Sequence, residues 1–500
     1  MTAGLEARLA RLEAESAVLD PPPEARHALR DPVLTYADRF LDAITELPAY
    51  VVTGDKGRGV ESLQPAETGI PIERVLSVLG SDVDRPGLNP ASGGHLGYIP
   101  GGGLYASALA DYLTDVTNRY AGVFFSSPGA VRIEHQVVRW TRDLVGFPAT
   151  AGGTLASGGS IANLICLAAA RDAHGIRPRD VERAVVYLST QTHHCITKNL
   201  RLLGMGDCIV RHVPLDQRFR IRPDRLAEQI DADRKSGLRP WLLVASAGST
   251  DVGAIDPLDR LGEAAAAERL WYHVDAAYGG YFMLVESARE RFRGIERADS
   301  TVLDPHKTLF LPYGLGIALV RDQDTLFQAF RSDAPYLQDT LAERDEVSPA
   351  DLSPELTRPF RGLRLWLPLL VHGLAPFRAS LEEKLVLTEW LYAELVQRGW
   401  EVGPEPDLSV IIYRRVPAGW DPERVNRLNQ RIVDLVKQDG RVYVSSTLID
   451  GRYLIRYAGV THRTHLSTVR LLLDRLEQAA HAAERELVAG LREPEVRSTV

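Results

Sequence analysis

Asp275 and Lys307 each stand just beyond a short apolar run. Leu270 to Val274 leads into Asp275-Ala276-Ala277-Tyr278-Gly279-Gly280, and Ser300 to Leu303 leads into Asp304-Pro305-His306-Lys307-Thr308. In a parallel α/β sheet, ligands bind beyond the carboxyl ends of the strands. Two such runs would therefore deliver a carboxylate and an amine to one place. A lysine can link to an aldehyde, and an aspartate can keep a pyridine nitrogen protonated, which together suit pyridoxal 5′-phosphate (PLP). Taken singly, Lys307 reads equally well as a surface lysine beside a turn, and Asp275 as a strand-end cap. The PLP reading gains weight from further motifs that would have to converge on the same site.

Thr154-Leu155-Ala156-Ser157-Gly158-Gly159-Ser160-Ile161-Ala162-Asn163 places small residues where a helix opens. There backbone N–H groups and the positive end of the helix dipole favour a phosphate, although an ordinary Ser N-cap has the same appearance. His193 lies in Gln191-Thr192-His193-His194, after the strand predicted at Ala184 to Leu188. An imidazole offers a flat face and a proton near neutral pH. No third ligand accompanies the histidine pair, so no metal is expected. Thr250 follows the apolar Leu242 to Ser246, where it could also cap a turn. The Gly-rich stretch Asn89 to Gly103 lacks both the P-loop lysine and the dinucleotide-binding spacing.

With these motifs, Leu88 to Ala479 resembles the group II PLP-dependent decarboxylases, which include the aromatic amino acid, histidine and glutamate decarboxylases. Their His-Val-Asp-Ala-Ala-Tyr and Pro-His-Lys patterns are intact at His273 to Tyr278 and Pro305 to Lys307. The resemblance is weakest before Gly69 and between Leu337 and Leu356. It implies the type I PLP fold with a seven-stranded, mostly parallel sheet. It further implies that Lys307 carries PLP, Asp275 partners the pyridine nitrogen, His193 stacks on the ring, and Gly159 and Ser160 hold the phosphate. Thr250, Ala277 and His306 match cofactor-binding positions, and Tyr98 and Pro100 match the substrate pocket. Tyr336 matches a loop tyrosine that returns a proton to the substrate. The implied activity is a carboxy-lyase, converting an L-amino acid to its amine and CO₂. An aldehyde-forming oxidative decarboxylase, an aminotransferase or another lyase shares this fold and stays open, as does a non-catalytic binding protein. Tyr98, Ile99 and Phe124 suggest an apolar wall and hence an apolar side chain on the substrate, aromatic ones first. Valine, leucine and methionine remain open.

The elements that must position these residues follow from periodicity. Strands alternate with helices from about 150 to 320, which reads as an α/β sheet. Leu5, Leu9, Leu12 and Leu19 predict a first helix, and Pro32 to Leu47 a second, neither with a core of its own. By resemblance they pack across a homodimer interface. The expected division is an N-terminal helical segment (1–95), a large PLP-binding domain (96–372) and a small α+β domain (373–500). Gln338 to Pro354 reads as a long loop of the kind that forms lids, and Glu134 as a helix-surface glutamate without a role. The net charge of −8 argues against nucleic-acid or anionic-membrane partners. No 18-residue apolar run predicts a membrane span, and Met1 to Glu15 lacks the apolar core of a signal peptide. Three scattered cysteines fit a reducing cytoplasm.

Overall fold

A computed structural model describes residues 2–99, 101–331 and 346–489. Two helices open the chain, α1 (Thr2–Ser16) and α2 (Pro23–Ala43), and neither contains a buried residue. The leucines of α1 recur at helical spacing as predicted but stay exposed. α2 begins at Pro23 rather than Pro32. A proline at the first helical position lacks only an N–H that would have had no partner.

Helices α3 (Tyr105–Thr117) and α4 (Pro128–Val145) precede the central sheet. Its seven strands are β1 (Gly152–Ala156), β2 (Ala184–Leu188), β3 (Ile209–His212), β4 (Arg239–Ser246), β5 (Trp271–Asp275), β6 (Ser300–Leu303) and β7 (Gly316–Val320). Across the sheet they lie in the order β1-β7-β6-β5-β4-β2-β3. The pairings from β3 across to β6 are parallel, and β7 runs antiparallel to both of its neighbours. The carboxyl ends of β1, β2, β4, β5 and β6 therefore share one edge.

Both faces of the sheet are covered, which is why its strands read as nearly continuous apolar runs. Successive side chains point to opposite faces. Val185, Tyr187, Leu243 and Ala245 pack with Val137, Val138 and Val145 of α4. Val186, Leu242 and Val244 pack on the other face with Ile165, Cys166 and Ala169 of α5 (Gly159–Ala173). α6 (Cys195–Leu202) follows β2 on that same face.

β1 carries little strand signal, because Gly152-Gly153-Thr154-Leu155-Ala156 has small residues where strands usually carry branched ones. Its glycines serve close approach: a Cβ on Gly153 would stand 2.1 Å from the Ala318 carbonyl oxygen of β7. Helices α7 (Leu363–His372) and α8 (Ala375–Gln397) lead to a four-stranded antiparallel sheet. Its strands are β8 (Glu401–Val402), β9 (Val410–Arg414), β10 (Ser445–Ile449) and β11 (Arg452–Ala458), in the order β8-β9-β11-β10. Asp450 and Gly451 form the turn between β10 and β11, both with positive φ. α9 (Pro422–Asp439) and α10 (Leu466–Ala489) join α8 and this sheet around a separate apolar core that includes Leu391, Ile432, Ile455 and Leu472.

Candidate active site

The shared carboxyl edge encloses a cavity of about 290 Å³. Five strand ends supply its walls: Gly159 and Ser160 after β1, His193 after β2, Thr250 after β4, Asp275 and Ala277 at β5, and His306 and Lys307 after β6. Every cofactor-binding residue expected from the sequence lines this one space. Tyr98 does not line it, while Pro100 and Tyr336 lie outside the described residues. Phe124 is buried elsewhere, against Arg132.

Asp275 is aimed by hydrogen bonds. Its Oδ1 accepts from the Ala277 N–H at 3.1 Å, and its Oδ2 accepts from Asn163 Nδ2 at 3.4 Å. Behind Asn163 runs a buried chain with a fixed direction. Trp271 Nε1 can only donate, and it does so to Ser300 Oγ at 2.8 Å. Ser300 Oγ also meets His273 Nδ1 at 2.8 Å, and it donates there because the neutral His273 ring carries its proton on Nε2. His273 in turn donates from Nε2 to Asn163 Oδ1 at 2.6 Å. That leaves the Asn163 amide hydrogens for the Gly159 carbonyl at 2.8 Å and for Asp275. Burial pushes the His273 imidazole down to about 4, which keeps it neutral as this chain requires. The sequence shows His273 beside Asp275, but not the partners that β6 and α5 bring to it.

His193 accepts the Cys195 N–H at Nδ1 (3.2 Å), so in the neutral ring the proton sits on Nε2. Burial draws its pKa below the ordinary imidazole value; Asp275 opposes this, while His194 and Lys307 reinforce it. Burial also pushes the Cys195 thiol up to about 12, leaving it protonated and unreactive. Lys307 Nζ lies 3.0 Å from Asp304 Oδ2. Burial pulls the amine down, but the carboxylates of Asp304 and Asp275 outweigh it and the net shift is upward. His306 bonds through Nδ1 to the Leu315 carbonyl at 2.6 Å and backs onto Gly158, where a Cβ would approach its ring to 3.1 Å. Gly158 itself has φ +155, a region open only to glycine.

A profile of the pyridoxal-dependent decarboxylase conserved domain matches residues 94–415. The chain belongs to the pyridoxal-dependent decarboxylase family. An aromatic-L-amino-acid decarboxylase of Bacillus atrophaeus is 33% identical over 388 residues, covering 77% of this chain and 80% of that one. A phenylacetaldehyde synthase of Arabidopsis thaliana is 28% identical over 369 residues, covering 70% and 75%. The fold matches a crystal structure of Oryza sativa TDC with PLP and tryptamine, with TM-score 0.86 and 24% identity over 92% of this chain and 98% of that one.

The cofactor of this decarboxylase is PLP, and the cavity fits it. α5 starts at the cavity wall with no side chain capping its first turn, so backbone amides are left for a phosphate. Of the lining residues, Asp275 could accept from a protonated ring nitrogen, and Lys307 could supply an amine to the aldehyde.

Two features correct or extend the sequence reading. Glu134 is buried rather than on a helix surface, at 2% exposure, and pairs with Arg358 Nη2 at 2.8 Å. It also accepts the N–H groups of Arg361 and Gly362, while Arg358 bonds Thr154 Oγ1 and the Leu155 carbonyl of β1. This pair ties α4 to β1, the strand that leads into Gly158-Gly159. Arg456 of β11 reaches from the small sheet to the carbonyls of Thr250 (2.6 Å), Asp251 (3.0 Å) and Tyr98 (3.2 Å). Tyr98, held at φ +53 and stacked on Tyr443, thus sits beside the cavity through a shared guanidinium. A lone arginine within a strand pattern gives no sign of such a role.

Proposed function

We propose that this decarboxylase acts on an aromatic L-amino acid, releasing CO₂ and leaving the amine. The carrying observation is the convergence of Lys307, Asp275 and His193 from three strand ends on one cavity. The aromatic preference draws support from the relative of 33% identity named for that substrate class. When bound, PLP supplies an electron sink for the pair left behind as the Cα–carboxylate bond breaks.

Lys307 would hold the cofactor through Nζ. Asp275, kept an acceptor by Asn163 and the Ala277 N–H, holds a proton on the ring nitrogen. His193 presents its imidazole face and can move a proton at Nε2. Gly159 and Ser160 offer the phosphate a backbone N–H and a hydroxyl. Ala277, Thr250 and His306 shape the cradle: Ala277 fixes Asp275, His306 backs Gly158, and Thr250 faces the substrate side. Tyr98 and Pro100 contact the substrate, and Tyr336 returns a proton to Cα.

The reading extends to assembly. Two copies form a homodimer, in which α1 and α2 bury the side chains of Leu5, Leu9, Val33 and Leu34 that are exposed in the single chain. The division into 1–95, 96–372 and 373–500 draws support from the two separate sheets, the larger within 152–320 and the smaller within 401–458. A cytoplasmic setting suits three buried, unpaired cysteines. Among the described residues no helix is long and apolar enough to cross a membrane, and no nucleic-acid partner suits a net charge of −8.

The identity of one relative as an aldehyde synthase keeps a second outcome in view. The test is to supply each standard L-amino acid in air and measure CO₂, amine and aldehyde together. Equal CO₂ and amine from aromatic substrates is the expected result. Aldehyde with oxygen consumption would favour the second outcome, and release confined to acidic amino acids would overturn the substrate class.

A further inference from the structure

Asp304 directly follows β6 with 1% of its side chain exposed, and the mechanism above does not use it. Its Oδ2 lies 3.0 Å from Lys307 Nζ and 3.7 Å from His306 Nε2. Neither carboxylate oxygen accepts a well-directed hydrogen bond. The group is also fixed in place: a Cβ on Gly159 would stand 2.6 Å from Oδ2, and one on Gly316 would stand 2.6 Å from Oδ1. A buried carboxylate without donors is costly unless a cation offsets it, and Lys307 is the cation in contact.

We propose that Asp304 is a positioning residue, the counter-ion that holds Lys307 as an ammonium whenever this lysine is not linked to the cofactor, and so sets how fast the site loads. The proposal rests on Lys307 being the cofactor-bearing lysine. Other groups facing Lys307 do not replace Asp304. Asp275 on β5 is engaged by Asn163 and Ala277. The Cys195 thiol of α6 is protonated. His193 and His306 are both drawn below the ordinary imidazole value by burial, and burial raises the Tyr313 phenol.

An ammonium has no lone pair with which to attack a carbonyl. Nζ must release one proton before its lone pair forms the bond to the aldehyde carbon. The carbonyl oxygen then leaves as water, carrying two hydrogens supplied by Nζ, and the third remains on nitrogen. Asp304 stabilises the form that has not yet begun this sequence. It also stands ready for the lysine each time an incoming amine displaces it.

The test uses cofactor-free full-length enzyme, labelled with acetic anhydride from neutral to alkaline pH, with the Lys307 peptide quantified by mass spectrometry. Wild-type Lys307 is expected to react with a midpoint at or above that of an ordinary lysine. In Asp304→Asn the midpoint falls by about one to three units. Cofactor loading at neutral pH, followed by absorbance, then becomes roughly tenfold faster or more. Asp304→Ser serves if the Asn variant fails to fold. A wild-type midpoint below that of ordinary lysine, or an unchanged midpoint in a folded variant, would overturn the proposal. If reduction placed PLP on another lysine, the functional reading would fail while the labelling still reported on the pair.

Discussion

The floor of the cavity and its rim are built in different ways. The floor is the set of strand ends, where Asp275 rests on a directed chain through Asn163, His273 and Ser300 to Trp271. The rim is assembled from distant segments: Tyr98 precedes the sheet in sequence, and Arg456 reaches it from the small sheet. Interactions in the floor are buried and mutually dependent, whereas Tyr98 is 55% exposed. Floor substitutions should therefore strike the chemistry, and rim substitutions should alter substrate fit or product.

The largest effect is expected at Asp275. Asp275→Asn keeps the shape but removes the charge behind the ring nitrogen, and kcat should fall by roughly 10²–10³-fold. Cofactor affinity should change far less. Equal, small losses in both would make Asp275 a structural residue. Tyr336→Phe should come next, with the amine yield down by roughly 10²-fold, the order of a lost general acid. CO₂ release should persist, and aldehyde should appear. An unchanged amine yield would remove Tyr336 from the reaction and move attention to His193.

Asn163→Leu tests the chain beneath the floor. Losing a hydrogen bond to a charged group costs about 1.5–3 kcal/mol, so kcat should drop at least about tenfold while Lys307 still takes up PLP. No change would show that the Ala277 N–H alone suffices to hold Asp275. The smallest effect belongs to the rim. Tyr98→Phe removes one part-buried hydroxyl, 3.3 Å from that of Tyr443, and should shift KM by a factor within about threefold, with kcat retained. A kcat loss as large as that of Asn163→Leu would erase the distinction between floor and rim.

The same contrast governs what could be read from sequence. Asp275, Lys307 and His193 follow strands whose apolar runs are visible, so their places were legible, whereas Gly159 was singled out by the small residues at a helix start and by the resemblance to a known family. Their supports were not, because Asn163, Ser300 and Trp271 meet only after α5 and two strands pack together. β1 was missed because Gly152 and Gly153 lower its strand propensity, Gly153 in exchange for close approach to Ala318 of β7 and Gly152 for close approach to the Gln323 side chain. Glu134 was misjudged because a carboxylate on an amphipathic helix looks solvated until its arginine, far along the chain, closes over it. The leucines of α1 were placed correctly at helical spacing, and the folded chain gives them nothing to pack against.

The account depends most on Lys307. Borohydride reduction of the PLP-loaded enzyme, digestion and peptide mapping should find the cofactor fixed to Lys307 Nζ and nowhere else, and Lys307→Ala should lose the reducible link while keeping the fold. PLP recovered on another lysine, or a full reducible link in Lys307→Ala, would contradict the site described above.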